Sequence, residues 1–454
     1  MALPAAGRHW RSFSRITATS PAVYSGRDMG ETARCKLDLP IPFRVTMRRR
    51  GRLPSALAAW LLAFAIQTPS ARAAEPSAPV ADSSEPPTEP DTAQKPAVPD
   101  ASPKQKEADD GWPDVSKFLD SKFGFLPIAK PITEPAVGYG VAGGLMFLSK
   151  PLGLAAKGLG RPNITGVGGF GTANGSWGMF GIDLRYWARD HIQTLVGGVY
   201  ASVNLDYYGT GNDSVLHDNP LRYNLQPAGG AGLMKYRLGE SRAWAGLGYA
   251  FASTRVRFDA PDSAPAMPSY EKRSNVGMLL TSLTLDTRDN FFTPLRGTFL
   301  EAVFQPAATW LGADHNFERL NLTAIQYLPL PYRLYFGLRG DVGASFGDAP
   351  FYMRPSISLR GVAAMRYQGE EVAQLEAELR WQFYGRWSIL GFMGAGDAWN
   401  HLEEGKQVQG VLAGGGGFRY ELARSYGLHM GVDVAFSRDT GAFYIQVGSA
   451  WMRP

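Results

Sequence analysis

Between residues 372 and 383 the chain alternates with a period of two. Leu375, Ala377, Leu379, Trp381 and Phe383 fall on one side, and Glu376, Glu378, Arg380 and Gln382 on the other. Successive side chains of a strand point to opposite faces, so this spacing predicts a strand with one apolar and one charged face. The pattern recurs along the chain. Phe180, Ile182, Leu184 and Tyr186 alternate with Gly181, Asp183, Arg185 and Trp187. Leu334, Phe336 and Leu338 alternate with Arg333, Tyr335, Gly337, Arg339 and Asp341. Leu428, Met430, Val432, Val434 and Phe436 alternate with His429, Gly431, Asp433, Ala435 and Ser437. Phe443, Ile445, Val447, Ser449 and Trp451 alternate with Tyr444, Gln446, Gly448 and Ala450. No segment keeps a helical period.

Each run is about ten residues long, the length of a tilted strand crossing a bilayer core. Tight turns at 188–191, 238–241, 329–332 and 423–427 trade with longer polar loops at 206–224, 258–272 and 346–369. Short turns on one side and long loops on the other are the habit of membrane-spanning barrels. In lipid every backbone donor and acceptor must be paired internally, and strands achieve this only in a closed barrel. A soluble sandwich or propeller would show the same periodicity with its apolar face turned inward. Strand length, loop asymmetry and aromatic content favour the barrel. Trp187, Tyr332, Trp381, Trp387 and Trp451 are expected at its interface girdles. Fifteen runs can be counted from Ala136 to Trp451, ten before the loop ending near Glu371 and five after it. An even number is required if both termini lie on one side, so a further strand is expected within 123–133. The fold class is therefore all-β: a transmembrane antiparallel β-barrel of about sixteen strands, with fourteen as the alternative.

Composition agrees. The chain has 53 glycines and 12% aromatic residues, which suits a large β-structure with many turns. Its net charge of +5 misleads. Arg48, Arg49, Arg50 and Arg52 precede an apolar stretch from Leu53 to Ile66, and Ala71-Arg72-Ala73 forms a small-residue cleavage site. Residues 47–73 read as a secretory signal peptide, and 1–46 as an upstream over-extension. Without residues 1–73 the chain holds 34 basic and 38 acidic residues, a net charge of −4. No basic stripe suggests nucleic acid. The sole cysteine, Cys35, leaves with the same segment, so no disulfide or thiolate chemistry is expected. Residues 74–112 are rich in Pro, Ala and acid and poor in large apolar side chains, and are expected to be a disordered periplasmic linker. Residues 113–454 form the barrel domain.

The stretch SLRGVAAMRYQGEEVAQLEAELRW resembles the long extracellular loop and following strand of the BamA/TamA-like outer-membrane assembly barrels, the bacterial surface antigen family. In that family a V/L-R-G-F/Y motif on this loop folds into the lumen. Leu359-Arg360-Gly361 matches it, and Val362 departs from the aromatic position. LTLDTRDNFFTPLRGTFLE resembles the family's periplasmic hairpin through Asp286, Arg288, Asp289, Pro294 and Gly297. FLPIAKPITEPAVGYGVAGG and YYGTGND are similar to its barrel start and an early loop. The likeness spans roughly residues 123–454. It implies that Arg360 docks on Glu378, the match to the family's glutamate. The family's second partner, an aspartate, falls at Gly394, which leaves Glu378 alone or Glu376 to hold the arginine. Asp397 has the opposite face parity. Gly361 is expected where the loop tip approaches the wall. The Asp286–Asp289 hairpin reads as a structural turn. Phe443 and Trp451 are similar to a barrel-insertion signal. Such barrels usually carry periplasmic POTRA modules, so this chain resembles a short member without them.

Enzymatic chemistry is not expected. His191 lies in a tight turn, and His217, His315 and His401 in loops. His429 and Asp433 share a face and read as a lumenal hydrogen-bond pair, with no nucleophile motif beside them. Metal-ligand spacings are absent, and the glycine runs at 166–171 and 413–418 lack the strand-to-helix setting of a phosphate cradle. No metal or cofactor is expected. Two functions remain: a factor assisting insertion or translocation of proteins or lipids at the bacterial outer membrane, or a passive channel or structural barrel plugged by its own loop. Arg333, Arg339, Asp341, Glu376, Glu378 and Arg380 would line either lumen. The expected partners are outer-membrane lipid and lipopolysaccharide, the assembly machinery for the chain's own insertion, and a client protein or lipid.

Overall fold

The computed structural model describes residues 112–114, 116, 126–148, 163–188, 190–209, 216, 219–259, 270–402 and 405–453. The expected signal peptide, the segment before it and the linker up to residue 111 lie outside these residues.

Among the described residues, sixteen antiparallel strands each pair with the next in chain order. They are β1 (Leu126–Glu134), β2 (Gly138–Leu148), β3 (Ile164–Thr172), β4 (Trp177–Trp187), β5 (Ile192–Tyr207), β6 (Leu221–Arg237), β7 (Ala243–Phe258) and β8 (Tyr270–Asp286), followed by β9 (Gly297–Ala307), β10 (Phe317–Leu330), β11 (Leu334–Gly347), β12 (Glu371–Tyr384), β13 (Trp387–Leu402), β14 (Gly405–Ala423), β15 (Leu428–Ser437) and β16 (Gly441–Val447). The extra strand expected within 123–133 is β1. Ten strands, β2 to β11, precede the long loop, and five follow it.

The wall is apolar outside and polar inside. Val196, Met234, Leu247, Leu283, Met393 and Leu412 are 54–71% exposed on the outer face. Lys235, Glu376, Arg380, Arg419 and Asp433 are buried on the inner face. This alternation is forced by lipid on one side and a polar lumen on the other. All four tight turns read from the sequence lie at one rim, and all three long loops at the other. The asymmetry is partial, because the β1–β2, β3–β4 and β15–β16 connections at the long-loop rim are also short.

Closure is incomplete. Each strand from β1 to β15 has a ladder with its successor, but β1 and β16 share none. Across this seam the Thr133 hydroxyl donates to the Phe443 carbonyl. The Tyr139 and Phe443 rings meet at 6.2 Å. Two glycines of β2 allow close approach of β3: a Cβ on Gly140 would lie 2.3 Å from the Gly171 carbonyl oxygen, and one on Gly144 2.5 Å from that of Val167.

The period-two expectation is reversed in β4, where Leu184 and Tyr186 are buried inside while Asp183 and Arg185 share the face of Val196, and it fails again at the end of the sheet. β16 ends at Val447, and Ser449 and Trp451 do not continue it. Gly448 takes a left-handed φ of 81°, which turns the chain out of the strand. Trp451 is therefore not a girdle residue. It is 4% exposed inside the barrel, whereas Trp187, Trp381 and Tyr332 are exposed as expected.

Trp112, Pro113, Asp114 and Ser116 cap the short-turn rim. Trp112 packs edge-on against Tyr384 at 5.7 Å. Arg386 Nη1 donates to Asp114 at 2.7 Å, and the Tyr420 hydroxyl to the Pro113 carbonyl at 2.7 Å. Burial opposes the charge on Asp114. Hydrogen bonds from Ser116 and Arg386 outweigh it and hold the carboxyl down at about 2.

Two outcomes are expected. Leu375→Arg, on the outer face of β12, should destabilise the barrel by about 2–4 kcal/mol if that face meets the bilayer centre. A urea midpoint in lipid vesicles reads this, and an unchanged midpoint would mean the face is not lipid-covered. Because the Asp114 carboxyl is depressed, its contribution to docking is complete above about pH 4 and is lost as pH falls towards 2. Hydrogen exchange at residues 112–116 should rise over that window and already be raised at neutral pH in Asp114→Asn.

Candidate functional site in the lumen

The connection from β11 to β12 folds into the barrel. Its base is closed by a bridge between Ser356 and Gln368 and by Ile357 N–H donating to the Tyr367 carbonyl at 2.9 Å. Ile357, Leu359, Val362 and Tyr367 are buried against Val372, Ala398, Val411 and Ala413 on the wall. Val362, the departure from the aromatic position, is thus a core residue of the docked loop.

Arg360 stands at the tip, 8% exposed. Its Nε donates to Glu376 Oε1 at 2.8 Å. Its Nη1 lies 2.8 Å from Glu378 Oε2 and 3.0 Å from Asp433 Oδ2. The Phe392 ring lies 3.6 Å beneath the guanidinium. Both glutamates expected from the sequence are therefore present, and Asp433 is the partner that sequence reasoning missed. Gly394, where the acid is absent, is where the loop passes: a Cβ there would sit 2.9 Å from Leu359 Cδ2. Asp433, on β15, supplies the carboxylate instead. Asp397 is exposed on the outer face, as its parity requires.

The His429–Asp433 pair is not formed. His429 Nδ1 lies 3.2 Å from the Gly427 carbonyl oxygen. Asp433 is fully buried and accepts from Arg419 at 2.5 and 2.8 Å as well as from Arg360. Gly417 leaves room for it, since a Cβ there would be 2.1 Å from Asp433 Oδ1.

Glu376 is the hub of the network. Besides Arg360 it accepts from the Trp451 indole at 2.7 Å and from Arg339 Nη1 at 3.5 Å. Arg339 also donates to Asp341 at 2.6 Å. Charge-assisted bonds of this kind add direction to the apolar packing that seats the loop. Gly361 has φ 87°, and a Cβ there would lie 3.0 Å from Phe436 N on β15, so the tip needs glycine on both counts.

The loop tip also reaches both edges of the seam. Gly361 N–H donates to the Tyr444 hydroxyl of β16 at 3.0 Å, and Ala364 N–H to Glu134 Oε1 of β1 at 3.0 Å. Thr440 Oγ1 donates to the Gly361 carbonyl at 2.5 Å.

The β8–β9 hairpin is a built turn at the short-turn rim. Arg288, 1% exposed, forks onto Asp286 at 2.9 and 3.0 Å and lies over the Phe299 ring at 4.5 Å. Asp289 Oδ1 accepts from Leu295 and Arg296 N–H at 3.0 and 3.3 Å, spanning the stretch that holds Pro294. Gly297 has φ 109° and packs against the Thr287 carbonyl. Arg288 Nη2 further donates to the Arg453 carbonyl at 2.9 Å. Phe443 faces outward, 39% exposed. Among the described residues no three His, Cys, Asp or Glu side chains gather to hold a metal ion.

Removing Arg360 would leave three carboxylates facing one another. Breaking a buried ion pair from one side costs about 3–5 kcal/mol. Arg360→Ala should free the loop, so that trypsin cuts after Arg366 in micelles where the parent resists. Arg360→Lys should be intermediate, because an ammonium cannot fork. Unchanged proteolysis in Arg360→Ala would remove the docking role.

No protein-family model matches the chain, and no curated protein matches it. Similar solved structures include BamA from Haemophilus ducreyi lacking POTRA domains 1-3, at 12% identity and a TM-score of 0.50, over 71% of this chain and 69% of that one. They also include CdiB from Escherichia coli (11% identity, TM-score 0.47, 72% and 60% covered) and CdiB from Acinetobacter baumannii (7% identity, TM-score 0.46, 71% and 59% covered). The chain spans about three fifths of the CdiB chains. At such identities the likeness to BamA is one of fold: a sixteen-stranded barrel of the outer-membrane kind.

Proposed function

We propose that the chain resides in the bacterial outer membrane and assists insertion or translocation of proteins or lipids there, by parting its wall between β1 and β16. The observation that carries this reading is the seam. Strands β1 and β16 lack a ladder and are bridged from inside by the tip of the Arg360 loop. An unpaired strand edge in a membrane is a template for another strand. It also places backbone polar groups against lipid, which disturbs the bilayer locally. The motif resemblance through Arg360-Gly361 and the Asp286–Gly297 hairpin supports the same reading. The long-loop rim would face outward, towards lipopolysaccharide, and the short-turn rim the periplasm. Before folding, the Phe443–Trp451 stretch would serve as the insertion signal read by the assembly machinery.

A second reading is a passive channel or structural barrel. It is favoured by the filling of the lumen by the Arg360 loop and by residues 448–453, which would act as plugs.

Depletion in the native host separates the two. Under the first reading, semi-native gels of the outer-membrane fraction should show other barrels, or lipopolysaccharide, failing to reach the membrane. Under the second their profile stays unchanged, and Arg360→Ala raises single-channel conductance instead.

A further inference from the structure

We propose that residues 448–453 are a latch that couples β16 to the loop lock, so that β16 cannot leave β1 without loosening Arg360. The coupling is a property of the barrel itself and does not rest on a role in assembly.

The chain leaves β16 at Gly448 and enters the lumen along a built path. Gly448 N–H donates to the His429 carbonyl at 2.7 Å, and Ser449 N–H to the Phe292 carbonyl at 2.6 Å. A Cβ on Gly448 would lie 2.8 Å from that Phe292 oxygen, so the turn admits only glycine. Ser449 Oγ lies 3.2 Å from the Tyr327 hydroxyl. Trp451 then fills a slot among Phe299, Ile325 and Tyr327. The slot exists because Gly337 has no side chain: a Cβ there would be 2.7 Å from the Trp451 ring. Beyond it, Arg453 accepts from Arg288 through its carbonyl at 2.9 Å and brings its guanidinium within 3.8 Å of Asp341.

The contact that makes this a latch is at Glu376. Its Oε1 accepts from Arg360 and its Oε2 from the Trp451 indole. One carboxylate thus holds the loop with one oxygen and the extension of β16 with the other. Trp451 follows the end of β16 by four residues, so outward movement of that strand draws the indole off Glu376. The loop in turn donates to Tyr444 on β16 and to Glu134 on β1. The seam, the loop tip and segment 448–453 form one closed set of contacts. Coupling of this kind is reciprocal: whatever weakens one member weakens the others.

The test uses the purified chain in micelles with Thr133→Cys and Phe443→Cys, a pair on β1 and β16 that meets across the seam. Hydrogen exchange of residues 357–364 reports the loop, and disulfide formation at 133/443 reports the seam. In Trp451→Phe, which keeps an aromatic ring in the slot and removes the indole N–H, loop exchange under reducing conditions should rise about ten- to a hundredfold, the worth of one hydrogen bond to a charged group. Disulfide formation should slow. Gly337→Ala, which crowds the slot from the opposite wall, should act in the same direction. Closing the 133/443 disulfide should restore loop protection in both variants. Trp310→Phe, at an indole 76% exposed, should change nothing. Unchanged loop exchange in Trp451→Phe would overturn the proposal. So would raised exchange that the closed disulfide fails to reverse, because segment 448–453 would then act on the loop without the seam.

Discussion

The carboxylate of Glu376 is the point on which the interior depends. It is 2% exposed and takes donors from a loop, from the neighbouring strand and from the segment after β16. Enclosing charge is costly, and a buried ion pair often contributes little more than its desolvation takes away. What it does provide is a single arrangement. Arg360 has carboxylates at Glu376, Glu378 and Asp433, drawn from two walls of the barrel, and only one position of the loop satisfies all three. The network therefore specifies the path of the loop more than it stabilises the fold. Glycines complete that specification by omission. Gly394 admits Leu359, Gly417 admits Asp433, and Gly361 lets the tip lie against β15.

From this hub the constraint passes to the wall. A barrel of sixteen strands should be secured by sixteen ladders, and here there are fifteen. The remaining join is held from within, through Gly361 and Ala364 to Tyr444 and Glu134. Its stability is borrowed from the lumenal network, which places the most separable part of the wall beside the most specific cluster of charges. A uniform wall would have no preferred place to part.

Much of this was legible in the sequence, and the gaps have physical causes. Period-two alternation located the strands, and the parity argument recovered β1 from an unpromising stretch containing two prolines. Arg360, Gly361 and the Asp286–Arg288 turn could be found because each is a local motif with a backbone requirement. Asp433 could not be found in the same way. It reaches Arg360 only because the barrel curves, and alternation records which face a residue occupies, not which residues the curvature brings together. The same blindness paired His429 with Asp433, since a shared face at even spacing does not say who bonds whom. Glu376 and Glu378 share a face too, so parity could not rank the hub above its neighbour. Trp451 was misplaced for a different reason. The alternation continues through Ser449 and Trp451, while Gly448 adopts a positive φ that breaks the strand. A glycine among many glycines gives no local sign of which one turns the chain.

The position of Trp451 changes what the lumen is. Without it, the β8–β9 hairpin at one rim and the Arg360 loop entering from the other would be separate plugs. With it, contacts run without a gap from Asp286 through Arg288 to the Arg453 backbone, along the segment to Trp451, across Glu376 to Arg360, and on to both edges of the seam. A chain of contacts is not by itself a route of coupling; that requires an element with two arrangements which both ends bias. Under the proposed function the seam is the element with two arrangements, paired from within or parted. The segment after β16 is covalently part of one side of that seam. It is therefore tied to that strand: any displacement of β16 must either stretch the three residues between Val447 and Trp451 or release the indole from Glu376, and the hydrogen bond is the weaker of the two.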